Sequence, residues 1–556
     1  MKVVDHIGLS KKMLQADLLK NSLRLKREEG LIQEIHSFPK YKGKVITLSN
    51  AENMSIFLDI KEIYDNREWG RNYHIETKKD TIIITFEKLT DYREDQTSGI
   101  KEFKAYVVIK SLDPKINLKQ EWVRQYYAYD HNRGSPPFDR FLFYALDITT
   151  TKLAITFGDH LKEVENKAAY LLKKHHRISN EESYSPNNVF NKEVSFAYDY
   201  AVRQLEGVLI QSHIGKKNTP AFMAGLPWFF QVWSRDDCIS AGALQKLGMY
   251  HVEKDLLWKY LHHITPEGRI PNRFPASDLS SADAVGLLFL RIGQLIEHLS
   301  NKKKLRSHIS KKEIQFFIEK LRHCIYLLRK YYVKGNLIYN KSLETWMDTD
   351  YAGDTREGFR IEIQALLMNM YKIMHDLTDE KQYLEWELEM KKEIKQKLWN
   401  GKILADGLND FTIRPNIFLA AYYFYDLLQK DEWKICFSNC IEHLWLPWGG
   451  IASIDKQHSL YTETYTGENN RSYHRGDSWY FVNNITAMML YKTDPILFQN
   501  YITKIVEAST RDILEQGIIG VASELSSAKE QSAAGCLAQT WSAATFIEMV
   551  NTINKI

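Results

Sequence analysis

The chain has 556 residues, 44% of them hydrophobic and 26% charged, which is the balance of a globular protein rather than a disordered or membrane one. Lys and Arg number 74 against 70 Asp and Glu, so the net charge of +4 provides no concentrated basic surface that would favour nucleic acid as a partner. Five scattered cysteines, with no visible signal peptide and no long apolar run, predict a cytoplasmic protein that does not bind a membrane.

The first third of the chain has the pattern of β-strands. Apolar runs rich in β-branched and aromatic residues lie at residues 44–48, 81–86, 105–109 and 141–146, and turn-forming residues separate them. We therefore expect an antiparallel β-sandwich domain over residues 1–185. Residues 179–191 are rich in Ser, Asn, Glu and Pro and are expected to form a linker.

After residue 185 the apolar residues recur at helical spacing, as in Val285, Leu288, Ile292, Leu295 and Leu299. We expect twelve helices, and this number of paired helices suits an (α/α)6 barrel over residues 186–556. In such a double ring, the loops that join odd to even helices lie at one end and can share a pocket. The expected helices start near residues 193, 236, 250, 282, 311, 357, 379, 415, 430, 477, 495 and 537.

Motifs for several common chemistries are missing. The sequence lacks the glycine-rich phosphate loop, the dinucleotide fingerprint, the zinc-protease motif and the nucleophile elbow of esterases. Acidic residues do occur in two suitable loops: residues 344–350 follow the fifth helix, and residues 521–526 precede the twelfth. Two carboxyls that face each other across a sugar can hydrolyse a glycosidic bond, one as proton donor and one as base or nucleophile. Loop acids can also be solvated or cap helices, and position alone leaves both interpretations open.

Other polar and aromatic strings fall in loops at the same end of the expected barrel. They occupy residues 225–229, 233–237, 270–274 and 473–479. The Arg-Asp pair at 235–236 makes contacts that either bind sugar hydroxyls or tie a loop. Aromatic residues form 12% of the chain, and rings of this kind either stack on sugars or fill cores. The convergence of these strings makes a carbohydrate site a competitive interpretation.

Taken in order, these strings resemble the amylo-α-1,6-glucosidase domain of glycogen debranching enzymes, especially the prokaryotic single-function type with a β-sandwich in front. The resemblance extends over residues 221–546. Its motifs are Ala-Gly-Leu-Pro-Trp-Phe at 224–229 with Trp-Ser-Arg-Asp at 233–236, Ile-Pro-Asn-Arg-Phe at 270–274, Ser-Ala-Asp-Ala at 281–284, Thr-Trp-Met-Asp at 345–348, Glu-Ile-Gln-Ala-Leu at 362–366, Arg-Pro-Asn at 414–416, Tyr-His-Arg-Gly at 473–476 and Gly-Cys-Leu-Ala-Gln-Thr-Trp-Ser at 535–542.

The resemblance implies that Asp348 is the general acid and Glu524 the general base of an inverting glycoside hydrolase related to glucoamylases. An inverting site needs the two carboxyls ~6.5–9.5 Å apart, which leaves room for water. The implied partner is an α-glucan with α-1,6 branch points, such as glycogen, limit dextrin or a branched oligosaccharide, and neither a metal nor an organic cofactor is implied. The further residues expected to bind the sugar or to support its binding are Trp233, Arg235, Asp236, Arg273, Trp346, Glu362, His474, Trp479 and Gln539.

The chain departs from the family pattern at Ser234, Glu344 and Leu537 and over residues 477–480. These positions surround the expected pocket without including either acid, so they concern the choice of substrate more than the type of reaction. A glucoamylase or trehalase on the same barrel is therefore an alternative. A glycan-binding protein without turnover and a phosphorolytic enzyme are further alternatives, and the sequence carries no signal for oligomeric state.

Overall fold

The computed structural model describes residues 2–19, 22–61, 68–89, 102–179, 191–212, 218–274 and 280–553. The chain divides into two compact units, Met1–Ser183 and Tyr184–Ile556. The predicted boundary after residue 185 and most of the predicted linker at 179–191 lie outside the described residues. Each unit has its own hydrophobic core.

The described residues of the first unit contain ten antiparallel strands. Across the sheet their order is β2-β3-β4-β5-β10-β8-β7-β6, with β1 beside β5 and β9 beside β10. The strands are β1 (Lys2–Leu9), β2 (Met13–Leu19), β3 (Ser22–Arg27), β4 (Ile32–Phe38), β5 (Gly43–Lys61), β6 (Arg71–Lys78), β7 (Thr81–Lys88), β8 (Phe103–Ser111), β9 (Lys115–Tyr126) and β10 (Asp139–Gly158).

Strands β5 and β10 are long enough to belong to two layers. The first half of β5 pairs with β4 and with the second half of β10, whereas its second half pairs with β1 and with the first half of β10. The register shifts between Thr150 and Lys152, where the pairing passes from one layer to the other. Buried side chains of both layers, among them Ile56, Phe86 and Val107, form one apolar core. This antiparallel arrangement confirms the fold class that the alternating pattern predicts.

Helix α1 (Leu161–Ser179) packs against the other face of the larger layer. Its Val164 and Ala168 contact Ile83 and Val108 of the strands, so the helix buries sheet residues that the sandwich core does not reach. The sequence analysis did not predict this helix.

The described part of the second unit contains twelve helices of eight or more residues, and each begins within four residues of its predicted start. They are α2 (Lys192–Val208), α3 (Ser234–Lys246), α4 (Tyr250–Leu261), α5 (Ala284–Asn301), α6 (Lys311–Tyr331), α7 (Ile361–Thr378), α8 (Lys381–Lys397), α9 (Asn416–Tyr423), α10 (Lys430–Leu444), α11 (Tyr480–Thr493), α12 (Gln499–Glu515) and α13 (Thr540–Thr552).

Contacts between the helices define a double ring. Helices α3, α5, α7, α9, α11 and α13 touch one another in that order, and α13 closes the circle on α3. The other six lie outside them, as when α4 packs on α3 and α5 and α12 packs on α11 and α2. The inner helices are buried on nearly all sides, which fits their apolar sequences. The unit is the predicted (α/α)6 barrel.

Six loops precede the six inner helices and therefore gather at one end of the barrel. Short two-stranded pairings tie them together, for example Val232–Trp233 with Arg273–Phe274 and Gly225–Leu226 with Ala538–Gln539. Every site residue predicted from the sequence lies in these loops or in the first turn of an inner helix. In the described ranges no helix is both long and apolar enough to cross a membrane.

Candidate active site

Asp348 lies in the loop between α6 and α7, and its side chain is partly exposed. About a third of its side chain, 33%, is exposed, and Oδ2 accepts a hydrogen bond from Nη1 of Arg235 at 2.9 Å. Burial among the loops raises the pKa of Asp348 above its ordinary value, against the opposing positive charge of Arg235. The carboxyl is therefore accessible to a ligand and biased toward holding a proton.

Arg235, in the first turn of α3, organises the acid's surroundings. Its Nε donates to both oxygens of Asp283 at 2.8 and 3.0 Å, and Nη2 donates to the carbonyl of Thr345 at 3.0 Å. Burial opposes the charge on Arg235, but the carboxylates of Asp283 and Asp348 outweigh it and raise its pKa. The guanidinium thus remains charged and fixes three neighbours in a planar fork.

Glu524 lies in the loop between α12 and α13 and is almost fully buried. Oε1 accepts a hydrogen bond from the Tyr473 hydroxyl at 2.6 Å, and Oε2 accepts one from the backbone N–H of Cys536 at 2.7 Å. Gly535 has a φ of +64°, and a Cβ there would lie 2.2 Å from Oε2 of Glu524. Glycine is needed at this position for its backbone conformation and for the space that the carboxylate occupies.

A three-stranded antiparallel ribbon holds the backbone beside Glu524. Its strands are Ser478–Trp479, Leu525–Ser526 and Ala533–Ala534, and the N–H of Glu524 itself donates to the carbonyl of Cys536 at 2.8 Å. The ribbon joins the start of α11 to the loop before α13, so the backbone of Glu524 is fixed on both sides.

Asp236 follows Arg235 in the first turn of α3, and the charges of both acids affect its pKa. Its Oδ1 accepts a hydrogen bond from Nε2 of Gln539 at 3.3 Å. Burial raises the pKa of Asp236 well above its ordinary value; Arg235 opposes this, and the negative charges of Asp237, Glu524 and Asp348 add to it. Both acids therefore contribute to the raised pKa of Asp236, and Gln539 orients its carboxyl.

The sequence model of the amylo-α-1,6-glucosidase family matches residues 188–548, which is well over half of the chain. The chain belongs to the amylo-α-1,6-glucosidase family. A search of curated protein sequences finds no significant match.

One solved structure supports the fold of this family member, and two others are less similar. A bacterial glucoamylase complexed with acarbose superposes with a TM-score of 0.61 at 11% identity, covering 100% of this chain and 88% of that one. Two structures of glycosidase variants, one of them in complex with glucose, have TM-scores of 0.49 and 0.47 at 10% identity and cover 66% of this chain and 99% of theirs. The glucoamylase shares the architecture of both units, which confirms the expected relation between the fold of this chain and that of glucoamylases.

Three of the predicted sugar-binding residues form a buried aromatic cluster in this member of the family. The rings of Trp346 and Trp479 are each 3% exposed and meet edge to face at 5.4 Å, and His474 stacks on Trp479 at 5.0 Å. Nε1 of Trp346 donates to Oδ1 of Asn416 at 2.7 Å. Burial lowers the pKa of His474 well below its ordinary value, and nearby arginines, Arg475 first among them, lower it further. His474 is therefore neutral, and the cluster supports the loop that carries Asp348.

The remaining predicted residues take different places. Trp233 and Arg273 are half-buried, and Cζ of Arg273 lies 5.8 Å from the centre of the Trp233 ring. Glu362 is buried in an ion pair with Arg356, which also binds Asp406 at 2.9 Å. Trp233 and Arg273 thus keep surface that a ligand can touch, whereas Glu362 anchors the base of the loop before α7.

Several residues that complete the site were not predicted as site residues. Tyr473 and Asp283 lie inside the Tyr-His-Arg-Gly and Ser-Ala-Asp-Ala motifs. The motifs could therefore have indicated both residues. Asp477, within a segment that departs from the family pattern, is buried, and its carboxyl accepts a hydrogen bond from the Ser472 hydroxyl at 2.7 Å. Among the described residues no three His, Cys, Asp or Glu side chains are grouped as metal ligands would be.

Proposed function

We propose that this protein is a glucosidase that releases glucose from α-1,6 branch points of an α-glucan with inversion at the anomeric carbon. The observation that supports this most directly is the contrast between the two acids. Asp348 is partly exposed with a raised pKa, whereas both oxygens of Glu524 accept hydrogen bonds from fixed donors. Unlike surroundings of this kind divide two carboxyls into a proton donor and a proton acceptor.

In the proposed reaction Asp348 donates its proton to the glycosidic oxygen as the bond to the anomeric carbon breaks. Glu524 accepts a proton from a water molecule, and the oxygen of that water bonds to the anomeric carbon from the opposite face. Glucose and a shortened glucan leave, and the site returns to its starting state by transfer of a proton from Glu524 to Asp348 through solvent. Neither a redox partner nor a cofactor is required by this scheme.

Asp236, Arg235 and the half-buried pair Trp233 and Arg273 would bind the terminal glucose. Asp236 follows Arg235 in the chain and is oriented by Gln539, and its carboxyl can accept hydrogen bonds from sugar hydroxyls. The exposed surface of Trp233 can stack on a sugar ring. The aromatic cluster of Trp346, His474 and Trp479 would then form the wall behind these groups.

A glucoamylase-like preference for α-1,4 ends is the second candidate, because the glucoamylase that superposes on the whole chain was solved with acarbose. The linkage is set by the shape of the acceptor side, and the same pair of acids serves either linkage. For the partner and the compartment we propose a glycogen-like α-glucan in the cytoplasm. Five free and buried cysteines fit a reducing compartment.

The test is release of free glucose from a phosphorylase limit dextrin, with maltotetraose and trehalose in parallel. We expect preferential release from the dextrin, and a loss of kcat by several orders of magnitude in Asp348→Asn and in Glu524→Gln. The first product should be β-glucose by NMR, because water attacks opposite the leaving group. Preference for maltotetraose would favour the second candidate, and near-normal turnover in either acid variant would remove that residue from its role.

A further inference from the structure

Three consecutive residues, Tyr473, His474 and Arg475, lie between the two loops that carry the proposed catalytic acids. The Tyr473 hydroxyl donates to Oε1 of Glu524 at 2.6 Å. Nδ1 of His474 lies 2.8 Å from Oγ1 of Thr349, the residue after Asp348. One end of this short segment therefore touches the proposed base, and the next residue touches the loop of the proposed acid.

Arg475 makes the strongest connection to the acid's loop. Its Nη2 donates to the carbonyl of Thr349 at 2.7 Å, and its Nε donates to Oδ2 of Asp354 at 2.8 Å. Asp354 also accepts a hydrogen bond from Nη2 of Arg414 at 2.8 Å, so two guanidinium groups share one carboxylate at the end of that loop. Charge-assisted contacts of this kind hold geometry better than neutral ones.

The segment is itself rigidly held. Nε1 of Trp479 donates to the carbonyl of Tyr473 at 2.7 Å, and Nη1 of Arg414 donates to the carbonyl of His474 at 3.1 Å. Gly476 follows with a φ of +157°, and a Cβ on it would lie 1.8 Å from the carbonyl oxygen of Thr462. The backbone passes too close to Thr462 for a side chain at this position, so the segment packs directly against an earlier part of its own loop.

We propose that Tyr473, His474 and Arg475 form a positioning bridge that fixes the proposed base Glu524 and the proposed acid Asp348 relative to each other. This role rests on the proposed function, because an inverting reaction depends on the separation of its two carboxyls. Tyr473 acts on the base, and Arg475 acts on the acid through Thr349 and Asp354.

The Tyr473 end is tested with Tyr473→Phe. A hydrogen bond to a charged group contributes enough stabilisation that we expect kcat to fall about 10- to 100-fold when the hydroxyl is removed. Because the hydroxyl favours the ionised carboxylate, its removal also moves the acid limb of the pH–rate profile to higher pH. The matched control is Tyr422→Phe, which removes a tyrosine hydroxyl that donates to Glu548 at 2.7 Å in the barrel core, away from the six loops. The control should keep the wild-type pH profile.

The Arg475 end is tested with Arg475→Lys on two substrates. An α-1,6 disaccharide needs a proton on its leaving oxygen, whereas α-glucosyl fluoride needs little help from a general acid. Since general acid catalysis contributes roughly 10²- to 10⁴-fold, we expect the loss of kcat on the disaccharide to exceed the loss on the fluoride by about 10-fold or more. Tyr473→Phe should lower kcat on both substrates by similar factors, because it acts on the base.

The outcomes separate the bridge from the proposed function. If Asp348→Asn and Glu524→Gln retain activity, the assignment of the acids fails and the bridge fails with it. If those variants are inactive but Tyr473→Phe keeps the wild-type kcat and pH profile, only the bridge is overturned. The bridge is likewise overturned if Arg475→Lys lowers kcat by the same factor on the disaccharide and on the fluoride. Loss of folding in Tyr473→Phe while Tyr422→Phe folds would assign the hydroxyl to stability and would overturn it too.

Discussion

Replacing Asp477 by Asn should stabilise the protein near neutral pH. The side chain is fully buried, and its Oδ1 has no hydrogen-bond partner among the described residues. Burial raises the pKa of Asp477 to about 8; the Ser472 hydrogen bond opposes this, and the charge of Glu524 adds to it. The folded protein therefore keeps a proton on Asp477 at pH 7, whereas the unfolded chain, with an ordinary pKa of about 3.9, has released it.

The size of the effect follows from that difference. Below about pH 4 both states hold the proton, and Asp477 has no effect through titration. As the pH rises, the unfolded state is favoured by about 1.4 kcal/mol per unit until the folded carboxyl also ionises near pH 8. At pH 7 the destabilisation reaches roughly 4 kcal/mol, and Asn, which has the shape of the neutral acid, removes it.

The assay is thermal unfolding of wild type and Asp477→Asn from pH 4.5 to 8.5, followed by calorimetry. The variant's Tm should exceed that of the wild type by a margin that is small at pH 4.5 and grows up to about pH 8. A margin that does not change with pH, or a lower Tm at pH 7, would refute the argument.

Asp512 provides a contrasting control. Burial raises its pKa to about 7, but its two oxygens accept hydrogen bonds from the backbone N–H and the hydroxyl of Ser523. An Asn at this position would turn an N–H donor toward one of these donors. This loss offsets the gain that Asn brings by removing the titration, so Asp512→Asn should lower Tm at pH 4.5 and should raise Tm at pH 7 less than Asp477→Asn does; it should also lower kcat, because Ser523 precedes Glu524 in the chain.

Two further predictions concern close packing at Gly535 and the buried ion pair of Asp237 with Lys259. Gly535→Ala should lower kcat strongly, because the new Cβ meets Oε2 of Glu524 and the φ of +64° costs about 1–2 kcal/mol for Ala; unchanged kinetics would mean that the loop moves freely. Asp237→Asn should destabilise the barrel by roughly 3–5 kcal/mol in urea unfolding, because it leaves the buried ammonium of Lys259 without its 2.7 Å carboxylate partner. A loss under 1 kcal/mol would show that the Pro220 carbonyl, 2.6 Å from the same ammonium, suffices to hold it.

The helical period was enough to predict the barrel, because each helix must bury an apolar face and twelve such faces close into two rings. The alternating strands were likewise visible, but helix α1 was not recognised. Its apolar residues Val164, Ala168, Leu171 and Leu172 have helical spacing within a segment rich in lysine and glutamate. The helix directly follows the last strand of the sheet, and its apolar stripe covers the outer face of that sheet.

The site was predictable as a set of loops but not as a set of contacts. The motif resemblance pointed to Asp348 and Glu524, and in the structure each carboxyl accepts a hydrogen bond from a neighbouring group. It did not reveal that Trp346 and Trp479 are nearly covered, because burial of an aromatic ring depends on which loops meet over it. For the same reason the contact between Tyr473 and Glu524 was not predictable, because the two residues are 51 positions apart in the chain.

Burial and the charge of nearby arginines together keep His474 neutral. Burial lowers the pKa of His474 most, and the charges of Arg475, Arg414, Arg356 and Arg235 lower it further. A protonated imidazole would add one more cation to a region where the carboxylates are already shared between guanidinium groups. The neutral ring still forms a hydrogen bond with the Thr349 hydroxyl and stacks on the indole of Trp479. It can therefore connect the two loops without adding a positive charge near the proposed acid. The same arginines tie the loops together through carboxylates, and burying charge is acceptable there because each of these guanidinium groups donates to several partners.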